Sequence, residues 1–194
     1  MTSSATVEGG ERQRLFCALT LPDPVLDRLV EWQAHELAGL ESADGARIVP
    51  RENLHITLAF LGSRPAAEAA AVGSELRAAA TAAGPIRLRV QRYRETRSVG
   101  MVVLEDVGGH AAPFALDVFE RLERLGVYER ERRPWLPHVT VLRFRRQPRL
   151  RPELPDLGEL GPSGAAVYLS VLRPGGARYV VLESFALHRL NMGG

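Results

Sequence analysis

The sequence contains no lysine and a single cysteine, and these two absences exclude several kinds of chemistry. All 25 basic residues are arginine. A Schiff base or an adenylyl-lysine intermediate therefore cannot form, and this excludes ATP-dependent ligases that work through adenylyl-lysine. Cys17 has no second cysteine with which to form an internal disulfide or a C-x-x-C zinc site. This cysteine content is typical of a protein in the reducing cytoplasm, where we expect to find this chain.

The sequence also lacks a long apolar run. A stretch of about 18 apolar residues is needed for a membrane-spanning helix, and none is present, so no membrane association is predicted. Residues 1–11 are polar and predict a disordered tail rather than a signal peptide. They precede a predicted single domain over residues 12–190. With 194 residues, 45% of them hydrophobic and 25% charged, the chain is typical of soluble globular proteins.

The pattern of apolar residues predicts strands and helices that alternate irregularly. Strands are predicted at residues 14–22, 46–49, 54–61, 86–93, 100–107, 138–144, 166–172 and 178–188. Helices are predicted at residues 23–40, 65–83 and 114–125. The proline-rich stretch 145–164 predicts an exposed loop. We therefore expect an α+β fold with a mainly antiparallel sheet.

Two predicted strands repeat the same spacing of histidine and threonine. The stretch "NLHITLAFLG" contains His55 and Thr57, and "LPHVTVLRF" contains His138 and Thr140. With 7 threonines in the chain, two such pairs among five histidines are expected by chance in roughly 1% of cases. Because each half of the chain has one pair at its centre, we expect two similar lobes.

Each pair is expected to line a polar cleft, because side chains two residues apart on a strand share one face. The apolar residues of these strands are expected to face a core: Ile56, Leu58, Phe60, Val139 and Val141. If the two strands face each other, two imidazoles and two hydroxyls converge. Imidazoles with a pKa near 6.5 can act as acid and base, and hydroxyls can hold phosphate oxygens. Such a site can cleave a phosphodiester without a metal ion.

The other three histidines, a zinc site and a serine triad have weaker support in the sequence. His35, His110 and His188 lie outside such a context and are expected to be surface or structural residues. Zinc binding by His55 and His138 stays open, although the sequence has no H-E-x-x-H and no evident third ligand. No G-x-S-x-G motif supports a serine triad.

Arginines cluster between residues 87 and 97 and between residues 130 and 151. Guanidinium groups match phosphate oxygens in geometry and charge, so the clusters favour phosphate or RNA recognition. A bias toward GC-rich codons explains the same clusters equally well.

The stretches "LHITLAFLG" and "PHVTVLRF" resemble the paired H-x-T-x motifs of the two-histidine (2H) phosphoesterases. They are most similar to those of the RNA 2',3'-cyclic phosphodiesterases of bacteria and archaea, also called 2'-5' RNA ligases. "RLFCALTLP" resembles the first strand of that family and "GGARYVVLESFAL" its closing hairpin, so the resemblance spans residues 12–190. Val141 and Leu142 depart from the Leu-Ala that is common in the family, but both remain apolar.

The resemblance implies a bilobal α+β fold, in which two similar lobes with outer helices flank a central cleft. It also implies hydrolysis of the terminal 2',3'-cyclic phosphate of RNA to a 2'-phosphomonoester. His138 would be the proton acceptor and His55 the proton donor, while Thr57, Thr140 and Arg143 would bind the substrate phosphate. Strict alternation argues against the last residue, because it places Arg143 on the face opposite His138. Either the strand bulges there or Arg143 is structural.

Three other functions stay open at this point. The substrate could be a small cyclic nucleotide or another 2'-linked phosphodiester, and the reverse reaction, 2'-5' RNA ligation, would use the same groups. A non-enzymatic RNA-binding module would use the arginines, but aromatic residues make up 6% of the chain and offer few stacking platforms. We expect RNA with a cyclic phosphate end, or a small cyclic nucleotide, as the partner. No cofactor, metal ion or obligate protein partner is predicted.

Overall fold

The computed structural model describes residues 11–40, 45–173 and 176–187. The predicted tail lies outside these residues except for residue 11, and so do His188 and the predicted domain end at residue 190. The domain boundaries therefore stay predictions. Within the described ranges, no helix combines the length and the apolar character needed to cross a membrane.

Nine strands and three helices follow one another along the described residues. The strands are β1 (Arg12–Thr20), β2 (Arg47–Ile48), β3 (Ile56–Pro65), β4 (Leu88–Glu95), β5 (Val99–Asp106), β6 (His138–Arg143), β7 (Glu159–Leu160), β8 (Gly164–Arg173) and β9 (Gly176–Ala186). The helices are α1 (Asp23–Glu36), α2 (Ala69–Ala82) and α3 (Ala111–Arg124). The predicted elements are all present, with boundaries shifted by a few residues.

The largest shifts have local causes. Helix α1 ends four residues earlier than predicted, because Gly39 adopts a positive φ of 77° in the turn that follows. Strand β3 continues to Pro65, so α2 begins later than predicted. The predicted exposed loop at 145–164 contains β7, which pairs with β4 through Leu88 and Leu160. Leu160 is buried, and this apolar contact explains why part of the stretch joins the sheet.

The strands form one sheet in the order β7-β4-β5-β6-β3-β1-β8-β9, with β2 paired to β6. Each strand pair in the described residues is antiparallel. The sheet consists of two groups of strands, which we call the terminal lobe (β1, β3, β8 and β9) and the central lobe (β2, β4, β5, β6 and β7). The expected α+β class is confirmed. The lobes do not correspond to the two halves of the sequence, since the first and last strands lie together in the terminal lobe.

Two hydrophobic clusters lie on different parts of this sheet. The larger cluster joins both lobes to the helices and includes Leu15, Leu29, Leu76, Leu122 and Leu142. The smaller cluster contains Phe16, Ala18, Ala166 and Tyr168 from β1 and β8, with Tyr179 of β9 packed against it. The smaller cluster therefore belongs to the terminal lobe.

Candidate active site

The two lobes meet where β3 pairs with β6. Ile56 lies directly opposite Val139 in an antiparallel register, and both side chains are buried. Because neighbouring side chains on a strand point to opposite faces, the histidine and threonine on either side of each buried residue turn away from the core. The two H-x-T motifs therefore share one face of the sheet.

All five residues singled out in the sequence line one cavity of about 490 Å³. They are His55, Thr57, His138, Thr140 and Arg143. The structure brings all five side chains together, including Arg143, whose placement the sequence left open, and their roles in catalysis stay predictions. The cavity volume falls within the range typical of small-molecule sites, about 300–1,000 Å³.

A β-bulge in β6 explains why Arg143 reaches the cavity. The register between β5 and β6 shifts by one residue and leaves Val141 without a partner. Val141 and Leu142 are consecutive, yet both are fully buried. The extra residue reverses the alternation, so that Arg143 lines the same cavity as His138. The expectation from strict alternation is wrong for this residue, and the bulge is the reason.

Strand β3 has the same irregularity at the same distance from its histidine. Leu58 has no partner on β1, and Leu58 and Ala59 are both buried. Phe60, which alternation predicts to face the core, is instead 65% exposed and lines the cavity. In both strands the bulge is the third residue after the histidine. The fifth residue after each histidine, Phe60 in β3 and Arg143 in β6, consequently projects into the cavity.

Side chains from other parts of the chain donate hydrogen bonds to carbonyl groups next to these two bulges. The amide of the buried Gln33 in α1 donates to the carbonyls of Val141 and Val49, at 2.9 Å and 3.0 Å. The indole of Trp135 donates to the carbonyl of Thr57 at 2.9 Å. The carbonyl of Val141 also accepts from the backbone N–H of Val49 at 3.0 Å, so Gln33 adds a second hydrogen bond at the bulge of β6 and links it to the residue that follows β2.

Both imidazoles are oriented by a backbone carbonyl two residues earlier in the chain. His55 Nδ1 lies 2.7 Å from the carbonyl oxygen of Asn53, and His138 Nδ1 lies 2.8 Å from that of Leu136. A carbonyl oxygen can only accept, so each Nδ1 carries a hydrogen and donates it. Each Nε2 is then the atom that gains or loses a proton. His55 Nε2 lies 3.1 Å from the hydroxyl of Thr57.

His55 differs from His138 in its aromatic surroundings. Its ring centroid lies 5.1 Å from that of Phe16, 5.9 Å from that of Tyr168 and 5.4 Å from that of Tyr179. This burial is the main reason that the pKa of His55 falls to about 4. The positive charges of Arg143 and His138 lower it further, whereas the backbone hydrogen bond to Asn53 opposes the shift. The sequence-based expectation of a pKa near 6.5 is therefore wrong for His55.

Several cavity residues lie outside the two H-x-T motifs and were not predicted as site residues. Arg47 comes from β2, while Arg178 and Tyr179 come from β9. Asn53 also lines the cavity, and its side-chain amide donates to the carbonyl of Ala177 at 3.0 Å, which ties the residues before His55 to β9. These segments are far apart in sequence, so only the strand order brings them together.

The arginine clusters predicted from sequence contribute little to the cavity. Arg87 and Arg89 form ion pairs with Glu159 and Glu105 on the surface. Arg143 is the cluster member that lines the cavity. The three cavity arginines at positions 47, 143 and 178 form no ion pair with any carboxylate of the described residues. Their charge is therefore available to an anionic ligand.

Metal binding and cysteine chemistry can be assessed in the same way. Among the described residues, no cluster of three or more His, Cys, Asp or Glu side chains is arranged to hold a metal ion. Cys17 is fully buried in β1, and burial raises the pKa of its thiol to about 12. This thiol is thus protonated and inaccessible at neutral pH, and it cannot act as a nucleophile.

Comparison with known proteins gives a consistent set of relatives. Residues 19–98 match the family model described as LigT like phosphoesterase. A Thermus thermophilus protein named RNA 2',3'-cyclic phosphodiesterase is 33% identical over 191 residues, covering 90% of each chain. A crystal structure from Thermus thermophilus superposes with a TM-score of 0.73 and 31% identity, covering 91% of this chain and 98% of that one. Escherichia coli LigT complexed with phosphate superposes with a TM-score of 0.69 and 25% identity, covering 93% and 100%.

Proposed function

This chain belongs to the LigT-like phosphoesterase family, and from that membership we propose that it hydrolyses the terminal 2',3'-cyclic phosphate of RNA to a 2'-phosphomonoester. One observation supports the proposal above all: two imidazoles, two hydroxyls and an arginine line one cavity. The relative from Thermus thermophilus, which spans nearly the whole chain, is named for this activity.

The phosphate would be held by the hydroxyls of Thr57 and Thr140 and by the guanidinium of Arg143. Hydroxyls donate to non-bridging oxygens, and the planar guanidinium can donate to two of them at once. The cyclic phosphate carries one negative charge, which the positive cavity favours. No metal ion is required for this binding, because the three side chains supply the donors.

Proton transfer would involve the Nε2 atoms of the two histidines. His138 takes a proton from a water molecule as the water oxygen attacks phosphorus. The bond from phosphorus to the 3' oxygen breaks, and His55 gives its proton to that oxygen. The products are a 2'-phosphate and a free 3' hydroxyl, and proton exchange with solvent restores both histidines. In-line attack requires the two imidazoles on opposite sides of one phosphate.

The low pKa of His55 makes its donor role depend on the substrate. In the free protein the imidazole is mostly neutral at pH 7, because burial and the nearby charge of Arg143 disfavour the imidazolium. A bound phosphate supplies negative charge beside the ring and raises this pKa. We therefore propose that His55 takes up its proton together with the substrate.

The test is turnover of an oligonucleotide with a 2',3'-cyclic end in the presence of EDTA and without ATP. Phosphorus NMR distinguishes a 2'-phosphomonoester from a 3'-phosphomonoester. Formation of the 2'-phosphomonoester at a rate unaffected by EDTA supports the proposal. Loss of turnover in EDTA that a divalent metal ion restores would contradict the metal-free mechanism, and formation of the 3'-phosphomonoester would contradict the roles given to the two histidines.

The alternatives from the sequence remain distinguishable by the same assay. A non-enzymatic RNA-binding module would bind the oligonucleotide without turning it over. A phosphodiesterase for small cyclic nucleotides would prefer those substrates, and ligation would appear when an RNA with a 5' hydroxyl is added. We propose a cytoplasmic location, with RNA as the partner, because that substrate is found there.

A further inference from the structure

A second cavity, of about 390 Å³, adjoins the first. The two cavities share a wall formed by Phe60, Arg143, Ala177 and Tyr179. Residues of β1 and β8 line the second cavity, and neither histidine does. Its remaining lining residues are Arg14, Leu15, Phe16, Gly62, Ser170 and Leu172. An occupant of the first cavity can therefore continue directly into the second.

The lining of the second cavity combines exposed apolar surface with positive charge. Phe60 and Leu172 are 65% and 66% exposed, although both are large and apolar. Single exposed apolar residues are common, but two on the walls of one cavity form a surface on which a flat ring can pack. Ser170 adds a hydroxyl that can donate or accept a hydrogen bond.

Arg14 supplies the positive charge that belongs to the second cavity alone. It is exposed, and within the described part of the chain no carboxylate pairs with it. Arg12, two residues earlier in β1, instead bonds to Ser63 of β3. The guanidinium of Arg14 is thus available to an anion, and a phosphate group matches its geometry.

The volume of the first cavity indicates how much of an oligonucleotide it can hold. At about 490 Å³ the first cavity is large enough for a single nucleotide with its cyclic phosphate. The second cavity then takes a second group joined to the first, and the combination of a ring-binding surface with an unpaired arginine fits a nucleotide. The exposed ring of Phe60 lies at the border, where the base of either nucleotide can stack on it.

We propose that the second cavity binds the nucleotide that precedes the cyclic-ended nucleotide, so that the protein prefers oligonucleotides to cyclic mononucleotides. This inference rests on the proposed function. Arg14 binds a backbone phosphate of the RNA, and Leu172 packs against the base of the preceding nucleotide. Arg143 stays with the cyclic phosphate in the first cavity.

The experiment compares kcat/KM for adenosine 2',3'-cyclic phosphate with kcat/KM for a diadenosine dinucleotide that has the same cyclic end. We expect the dinucleotide to be preferred by about 10-fold or more, because one stacked base and one phosphate contact add favourable binding free energy. Arg14→Ala and Leu172→Ala should each lower that preference by about 5-fold while changing turnover of the mononucleotide by less than about 2-fold. Arg28→Ala removes another exposed arginine, on α1, that lines neither cavity, and it should leave the preference unchanged.

Each other outcome has a separate meaning. Equal kcat/KM for the two substrates in the unmodified protein would overturn the second-nucleotide site and leave the proposed function intact. An equal loss on both substrates in Arg14→Ala would also overturn it, because the cavity would then hold the terminal nucleoside. Absence of turnover of both substrates by the unmodified protein would instead count against the proposed function. Turnover of the mononucleotide by each variant shows that the variant is folded.

Discussion

Ile56 lies directly opposite Val139, and this pair is where the terminal and central lobes join in one sheet. Extending its antiparallel register by one residue in each direction places the His55 side chain diagonally across from that of His138. Diagonal neighbours of this kind have Cβ atoms about 7–8 Å apart. One phosphate group fits between two imidazoles at such a separation, which supports their action on opposite sides of the same phosphorus.

Removing either imidazole is expected to abolish most of the activity without unfolding the protein. His55→Ala and His138→Ala should each lower kcat by at least about 100-fold, because a general acid or base is lost. Steady-state kinetics measures the loss, and circular dichroism checks the fold. His35→Ala is the matched control, since His35 is exposed on α1 and contacts Glu36 rather than the cavity. Near-normal turnover by either cavity variant would remove that histidine from the mechanism.

Arg143 is expected to act on both substrate and His55. Arg143→Ala should lower kcat/KM by roughly 10- to 100-fold, because a charged donor to the phosphate is lost. Arg143→Lys keeps the charge without the planar fork and should recover part of the loss. Because the charge of Arg143 lowers the pKa of His55, the alanine variant should also shift the lower limb of the pH profile upward. If Arg143→Ala leaves both kcat/KM and that limb unchanged, the bulge has no functional consequence.

The pH dependence should reflect the burial of His55. The donor must be protonated and the acceptor neutral, so kcat/KM against pH should be bell-shaped. In a pair of this kind the lower of the two pKa values sets the lower limb, even when it belongs to the proton donor. Since kcat/KM reports the free protein, its lower limb should lie near the pKa of about 4 of His55 rather than near 6.5. The lower limb of kcat should lie at higher pH, because the bound phosphate raises that pKa. Coincident lower limbs near pH 6.5 in both profiles would contradict the substrate-coupled protonation of His55.

Residue alternation on strands predicts the site correctly up to each bulge and fails beyond it. The positions of Thr57 and Thr140 follow from a period of two, because both precede the extra residue. Phe60 and Arg143 follow it, and their faces are reversed. No feature of "TLAF" or "TVLR" marks a bulge, since Gln33 and Trp135, which bond to the strands there, are distant in sequence.

The fold class and the order of elements could be predicted because apolar periodicity is a local property. Strand pairing is not local. The cavity therefore gains Arg47 and Tyr179 from strands that have no H-x-T motif. The pKa of His55 could not be predicted either, since the rings of Phe16 and Tyr168 reach it through β1 and β8. Sequence identifies the candidate reacting groups here, and topology determines their environment.

Burial of neutral His55 should make stability depend on pH. Its pKa is about 4 when folded and near 6.5 when unfolded, so the unfolded chain binds more protons between these values. The contribution is fully present above about pH 6.5 and is lost as pH falls toward 4, by up to about 3 kcal/mol. Urea unfolding at several pH values measures it. His55→Gln should lose less stability than the unmodified protein across this window, and equal pH dependence of the two proteins would contradict the shift.

Gln33 is expected to position Arg143 through the bulge of β6. Gln33→Met keeps the volume of the side chain but removes both hydrogen bonds, to Val141 and Val49. The lost bonds should lower the free energy of unfolding by about 1–3 kcal/mol. Val72→Ala in the core of α2 should cost a similar amount, about 2 kcal/mol, without touching the bulge.

The two variants should differ in activity, because only Gln33→Met frees the bulge to relax. We expect kcat/KM to fall by roughly 10-fold in Gln33→Met and to stay within about 2-fold in Val72→Ala. If Gln33 acts through Arg143, combining Gln33→Met with Arg143→Ala should add little to the loss caused by Arg143→Ala alone. Fully additive losses in that double variant would show that Gln33 affects the site by another route. Unchanged kcat/KM in Gln33→Met, despite the lost stability, would show that the bulge persists without its buried amide.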